Sequence, residues 1–315
     1  MKILILCPKN EFNEILHNKL EQLGNIIYTD SRRAYPLDEL IDLAKDAEIL
    51  AFDPDNIGGF EVTPERIIKL MDAMPNLKGL CLSTTAFGYL DLDYCKKRNI
   101  AVTNVPHYST ESVAEHALTF ILGLAKRVFT TERDTCLHQP YKLVQGFELK
   151  DKTLGVIGLG DIGSRIAQLG AAIGMKAIGW NRTPKKVAGV DLVQLEELLK
   201  TADVISINLA FNAETKHFLN QERIALLKPG VIIVNNADRE LIDEAALAEA
   251  LKSGKVDSYA AEVEDLTAPP LGNLTNVFHF KGFGWYTEQA LNRNKEIWVD
   301  NIIGVSQGKP VNKVN

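Results

Sequence analysis

Residues 153–182, TLGVIGLGDIGSRIAQLGAAIGMKAIGWNR, constrain the fold more than any other stretch of the chain. A short apolar run, Leu154, Val156 and Ile157, leads straight into Gly158-Leu159-Gly160-Asp161-Ile162-Gly163. Ile166, Leu169, Ala172 and Ile173 then recur at helical spacing, and a second apolar run follows at 176–180. The order is strand, glycine turn, helix, strand. Gly158 permits the tight turn, Gly160 lets the backbone approach a diphosphate, and Gly163 lets the helix pack close on its strand. The diphosphate then rests on the helix N-terminus, beside Asp161 and Ile162. A bare G-x-G-x-x-G carries little weight. Inside a unit of about 30 residues with this order it predicts a dinucleotide site, the alternative being a glycine turn kept only for packing.

The second strand of such a unit normally ends in Asp or Glu, which accepts hydrogen bonds from the ribose hydroxyls of NAD. This chain has Trp180-Asn181-Arg182-Thr183 there, followed by Lys185 and Lys186. An acid would repel a 2′-phosphate, whereas Asn181, Arg182 and Thr183 can bind one by charge and hydrogen bonding. The expectation is NADP first and NAD second. The competing reading is a solvated basic loop after a strand.

With 315 residues the chain has room for two domains, and its 46% hydrophobic and 24% charged residues are those of an ordinary globular protein. No segment has the roughly 18 uninterrupted apolar residues of a membrane span, and the opening MKILILCP reads as a first buried strand rather than a signal peptide. A net charge of −6 without a clustered basic face argues against nucleic acid as a partner. Cys7, Cys81, Cys95 and Cys136 form no C-x-x-C pair, which suits reduced thiols in a cytoplasmic protein.

From the N-terminus, strands are predicted at 2–7, 25–29, 48–52 and 77–82, alternating with helices at 11–23, 37–45 and 64–71. Such alternation indicates a parallel sheet covered by helices. Its strand ends are expected to face a dinucleotide domain across a cleft, with the loop 83–88 lining that cleft or forming a simple polar turn. A strand at 100–105 precedes one long helix at 109–129, apolar around most of its circumference and therefore expected in a core or at a subunit contact. Its Glu115-His116 pair suggests acid/base chemistry less readily than two polar residues anchoring a buried helix. Beyond the glycine unit, strands are predicted at 204–209, 231–235, 258–263 and 277–280, with helices at 221–226, 242–252 and 288–305. Leu209, Ala237 and Glu262 follow or close such strands and are expected to complete the cofactor-binding set, since open parallel sheets bind ligands at their carboxyl ends.

Taken in order, Val102-Thr103-Asn104-Val105-Pro106, Val113-Ala114-Glu115-His116-Ala117-Leu118, the glycine unit, Lys228-Pro229-Gly230, Asp243-Glu244 and Trp285-Tyr286-Thr287-Glu288-Gln289-Ala290 form a specific series. Over nearly its whole length the chain resembles the D-isomer-specific 2-hydroxyacid dehydrogenases, whose members include glycerate, phosphoglycerate and glyoxylate/hydroxypyruvate enzymes. The resemblance implies an α/β protein with two doubly wound parallel-sheet domains: a flavodoxin-like substrate (lid) domain at 1–100 plus 287–315, and a Rossmann domain inserted at 101–286. It also implies a homodimer and hydride transfer to a small substrate.

The family's chemistry uses an Arg that holds the substrate carboxylate, a His that protonates the oxygen as hydride arrives, and a Glu that keeps that His charged. Aligned motif by motif, Asp238 stands at the Arg place with Arg239 one residue late, and Gly282 stands at the His place beside Lys281, three residues after His279. The Glu place falls on or near Thr267, with Glu264 and Asp265 close by. Losing a positioned general acid typically costs about 10²- to 10⁴-fold in rate. The sequence therefore supports two classes. One is a reductase of a carbonyl or imine with an altered catalytic set, Lys281 serving as acid and Arg239 as anion holder. The other is a catalytically inactive nucleotide-binding homologue acting as sensor, scaffold or partner subunit.

Overall fold

The computed structural model describes residues 1–263 and 268–315. It divides into two compact units, Met1–Tyr108 with Glu288–Asn315, and Ser109–Thr287.

The first unit runs β1 (Lys2–Ile5), α1 (Glu14–Glu21), β2 (Asn25–Tyr28), α2 (Leu37–Ala44), β3 (Ile49–Phe52), α3 (Pro54–Ile57), α4 (Thr63–Asp72), β4 (Gly79–Leu82), α5 (Leu92–Lys97) and β5 (Ala101–Thr103). The strands pair in parallel in the order β2-β1-β3-β4-β5, the flavodoxin-like arrangement. Side chains alternate between the two faces, as the pleat requires. Leu4, Leu50, Phe52 and Leu80 enter one core with Leu40 of α2 and Leu70 of α4. Ile3, Ile5, Ile49 and Cys81 enter the other with Leu16 and Leu20 of α1 and with Trp298 and Ile302 from the far end of the chain.

The second unit continues with α6 (Thr110–Ala125), α7 (Val128–Cys136), β6 (Thr153–Ile157), α8 (Asp161–Ala172), β7 (Lys176–Trp180), β8 (Asp191–Leu192), α9 (Leu195–Thr201), β9 (Val204–Ile207), α10 (Gln221–Leu226), β10 (Val231–Asn235), α11 (Glu244–Lys252), β11 (Val256–Glu262) and β12 (Val277–Phe280). Among the described residues its strands pair in the order β12-β11-β10-β9-β6-β7-β8, again parallel. Counted from β6 this is the dinucleotide-binding order 3-2-1-4-5-6 with a seventh strand added, so the strand order reverses between β6 and β9. The last helix, α12 (Glu288–Ser306), returns to the first unit.

Two sequence expectations are corrected. The strand near 101 does not open the second unit. It pairs with β4 as the edge of the first sheet, and its Val102 backbone is held by the carboxy-terminal Asn315 side chain at 2.9 Å, so the unit boundary falls after Tyr108. The single helix expected at 109–129 is broken at Arg127, which is left-handed with φ 59°. That conformation costs a non-glycine residue about 1–2 kcal/mol. It is offset by a bidentate pair between the Arg127 guanidinium and Asp257, at 2.6 and 2.9 Å. Among the described residues no helix is long and apolar enough to cross a membrane.

Candidate functional site: a dinucleotide cradle and its neighbours

The glycine turn joins β6 to α8, and its three glycines do different work. Gly158 has φ 94°, and a Cβ there would lie 2.6 Å from the Asn208 carbonyl oxygen. At Gly163 a Cβ would come within 1.9 Å of the Gly158 carbonyl oxygen. Both positions are required by the fold itself. Gly160, by contrast, would meet nothing within 4 Å, and it heads the twelve-residue α8 without any side-chain cap. The positive end of α8 thus opens at the turn, beside a glycine that leaves room for a ligand. This arrangement fits a diphosphate. Leu209 packs beside the turn, its Cδ2 atom 3.1 Å from where a Gly158 Cβ would stand.

At the end of β7 the residue that replaces the usual acid is tied to the turn. Asn181 Oδ1 accepts the Leu159 N–H at 3.1 Å, and its Nδ2 donates to the Thr183 carbonyl at 2.7 Å. Asn181 thus ties the glycine turn to the loop after β7. Arg182 pairs with Glu214 at 2.7 Å, with 79% and 76% of the two side chains exposed. Thr183, Lys185 and Lys186 are exposed.

Farther along the carboxyl edge two of the candidate catalytic residues, Asp238 and Arg239, are engaged by other groups of the same loop. After β10, Ala237 N–H donates to Asn235 Oδ1 at 3.0 Å. Asp238 caps the short 3-10 turn Arg239–Leu241, accepting the Glu240 N–H at 2.8 Å. Arg239 forms a two-pronged pair with Glu244, at 2.9 Å on each prong, beside a hollow of about 380 Å³ lined by His217, Asp243 and Pro270. Lys281, just after β12, is exposed. Glu264, Asp265 and Thr267 lie outside the described residues.

Glu262 closes β11 and is 10% exposed. One carboxylate oxygen accepts the Gly284 N–H at 2.7 Å and the other accepts Asn236 Nδ2 at 3.1 Å. His116 of α6 brings Nε2 to 3.3 Å from Glu262 Oε1, without the geometry of a hydrogen bond. Gly284 makes this crowding possible, because a Cβ there would lie 3.0 Å from both carboxylate oxygens and 3.1 Å from the His116 ring. Asn236 Oδ1 is buried with no hydrogen-bond partner among the described residues. His116 and Glu262 are 146 positions apart, and no local pattern in the sequence signals such a pairing.

Comparison with known proteins agrees with this geometry. Residues 118–279 match the model of the D-isomer specific 2-hydroxyacid dehydrogenase, NAD binding domain. The chain is 34% identical to D-3-phosphoglycerate dehydrogenase of Methanocaldococcus jannaschii, the match covering 98% of this chain but 58% of that protein. It is 30% identical to glyoxylate reductase of Aeropyrum pernix, over 96% of this chain and 94% of that one. Among solved structures, an acyclic imino acid reductase in complex with NADPH and D-Arg superposes with a TM-score of 0.83 at 28% identity, covering 100% of both chains. D-lactate dehydrogenase of Aquifex aeolicus, complexed with NAD and lactic acid, gives 0.76 at 31% identity, covering 98% of this chain and 96% of that one. With its two parallel sheets, its Rossmann strand order and its intact glycine turn, this chain belongs to the D-isomer-specific 2-hydroxyacid dehydrogenases.

Proposed function

We propose that the chain is an NADPH-dependent reductase whose substrate is an imine formed from a small oxo acid. The observation that carries this is a complete dinucleotide cradle combined with Asp238 and Gly282 where the family carries a cationic Arg and an acid/base His. The nicotinamide supplies hydride when bound. A carbonyl oxygen must gain a proton as hydride reaches its carbon, which calls for a positioned acid. A protonated imine already carries its proton on nitrogen and is cationic, so it tolerates the loss of that acid and is drawn toward Asp238 rather than repelled by it. The acyclic imino acid reductase among the structural relatives supports the same substrate class.

Gly158, Gly160 and the first amides of α8 hold the diphosphate in this reading, and Asn236 Oδ1, a buried acceptor, suits the amide N–H of the nicotinamide. Arg182 serves the 2′-phosphate: its pair with Glu214 is solvent-exposed, worth little, and readily exchanged for a dianion. Arg239 holds Glu244 and shapes the loop after β10, and Lys281 contributes charge near the sheet edge. Leu122, Val128, Leu137, Tyr141 and Leu143 are exposed apolar side chains in and after α6 and α7, which supports a homodimer formed through this region. The four cysteines are unpaired, in keeping with a cytoplasmic setting.

The test follows NADPH oxidation at 340 nm with a panel of 2-oxo acids, each with and without ammonia or a primary amine. Turnover that depends on the amine is expected. Equal rates without amine would replace the imine with a plain oxo acid. NADPH binding without turnover on any compound would favour the second reading, a nucleotide-binding homologue that has lost catalysis; the engagement of Arg239 by Glu244 is the observation on its side.

A further inference from the structure

The His116–Glu262 pair lies at the carboxyl end of β11, on the half of the sheet beyond the strand-order reversal from the glycine turn. A dinucleotide whose diphosphate sits on α8 places its second nucleoside, the nicotinamide one, along that half. This step rests on the nicotinamide reading given above. The nicotinamide ring is cationic when oxidised and neutral when reduced, so a nearly buried carboxylate favours the oxidised form.

We propose that His116 sets the redox preference of the nucleotide site: when its imidazole is protonated it neutralises Glu262 and the reduced nucleotide is favoured, and when it is neutral the uncompensated carboxylate favours the oxidised one. The geometry gives the pair few other options. The carboxylate accepts N–H donors from Gly284 and Asn236, and His116 Nε2, 3.3 Å away, makes no hydrogen bond to it, so the imidazole acts on it through charge. Phe120 stands edge-on to the His116 ring, with centroids 4.5 Å apart, and confines it.

The charged groups of the elements packed on α6 are otherwise committed or exposed. Arg165 of α8 grips Glu111 at 2.7 Å on both prongs, and Asp257 of β11 is held by Arg127. Arg133 of α7 donates to the Thr275 carbonyl and lies 3.7 Å from Asp134, while Glu132 accepts from the Cys136 thiol. Asp161 at the start of α8, Glu115 on α6 and Lys281 after β12 are exposed, β10 carries no charged residue, and β12, stacked on α6 through Phe280 and Phe120, carries the half-buried titratable His279. Among the described residues Glu262 is the carboxylate recorded within ion-pair distance of His116.

The test is a fluorescence or calorimetric titration of the full chain with NADP⁺ and with NADPH, separately, between pH 5.5 and 8.5. The quantity read is Kd(NADP⁺)/Kd(NADPH). Ionisation of the 2′-phosphate affects both nucleotides alike and cancels in this ratio. The expected result is a fall of about three- to tenfold in the ratio as pH rises. His116→Gln should hold the ratio at its high-pH value across the range, and Glu262→Gln should raise it, toward NADPH, at every pH. Because the ratio compares two ligands on one protein, partial loss of folded material does not move it. A flat ratio in the unaltered chain, or an undiminished slope in His116→Gln, overturns the proposal while leaving the nucleotide site standing. Failure of both nucleotides to bind at millimolar concentration overturns the site and the proposal together.

Discussion

Where β6 ends, the chain offers a ligand bare backbone: a left-handed glycine, an open glycine and the uncapped start of α8. Where β10, β11 and β12 end, it offers side chains that hold one another: Arg239 with Glu244, Asp238 with the Glu240 amide, and Glu262 with Gly284, Asn236 and His116. The two halves of the sheet differ in how far these groups also determine the fold. In the first half the ligand-binding groups are also fold-determining, because Gly158 and Gly163 tolerate no Cβ. In the second half Asp238 and Arg239 stand beyond the strand ends and outside the cores, so a substitution there leaves strands and core intact.

The comparison breaks most sharply at Gly163. Gly163→Ala puts a Cβ 1.9 Å from a carbonyl oxygen, and a loss of about 3 kcal/mol or more in unfolding free energy is expected by urea titration, with nucleotide binding lost alongside. Gly160→Ala should separate the two properties. It meets no atom within 4 Å, so stability should stay within about 0.5 kcal/mol while NADPH affinity falls at least about tenfold, near 1.4 kcal/mol; unchanged affinity would remove the diphosphate from this turn. Arg182→Ala should weaken NADPH about fivefold and leave NADH unaffected, measured by paired titrations, because only the former carries a phosphate for the guanidinium. Arg239→Ala is expected to do least. Its pair with Glu244 is partly exposed, so about 0.5 kcal/mol of stability should go and NADPH binding should be unaltered. A large fall in kcat/KM with stability retained would return Arg239 to the role of anion holder.

The strands and the glycine unit could be read from the sequence because their signals are local: apolar runs of strand length, helical spacing in between, and glycines at fixed offsets. The predicted spans 231–235 and 277–280 coincide with β10 and β12. Features set by distant partners could not be read. The break at Arg127 lies between apolar residues that continue at helical spacing on either side and is stabilised by Asp257, 130 positions on. The strand at Ala101–Thr103 joins the first sheet because both β4 and the chain terminus bind it. Short helices such as α3, α5 and α9 were too brief to show periodicity, although Asp53 and Asp91 cap the first two. At the site, the glycine turn was anticipated, but the use of Asn181 as a brace and the meeting of His116 with Glu262 depend on tertiary placement.

Trp298 and Ile302, deep in a core of the first unit, belong to the last helix of the chain, while the second unit is one unbroken segment. During synthesis the segment begun later is therefore complete earlier, and the lobe whose residues emerge first must wait, with part of its apolar surface uncovered, until the final helix leaves the ribosome.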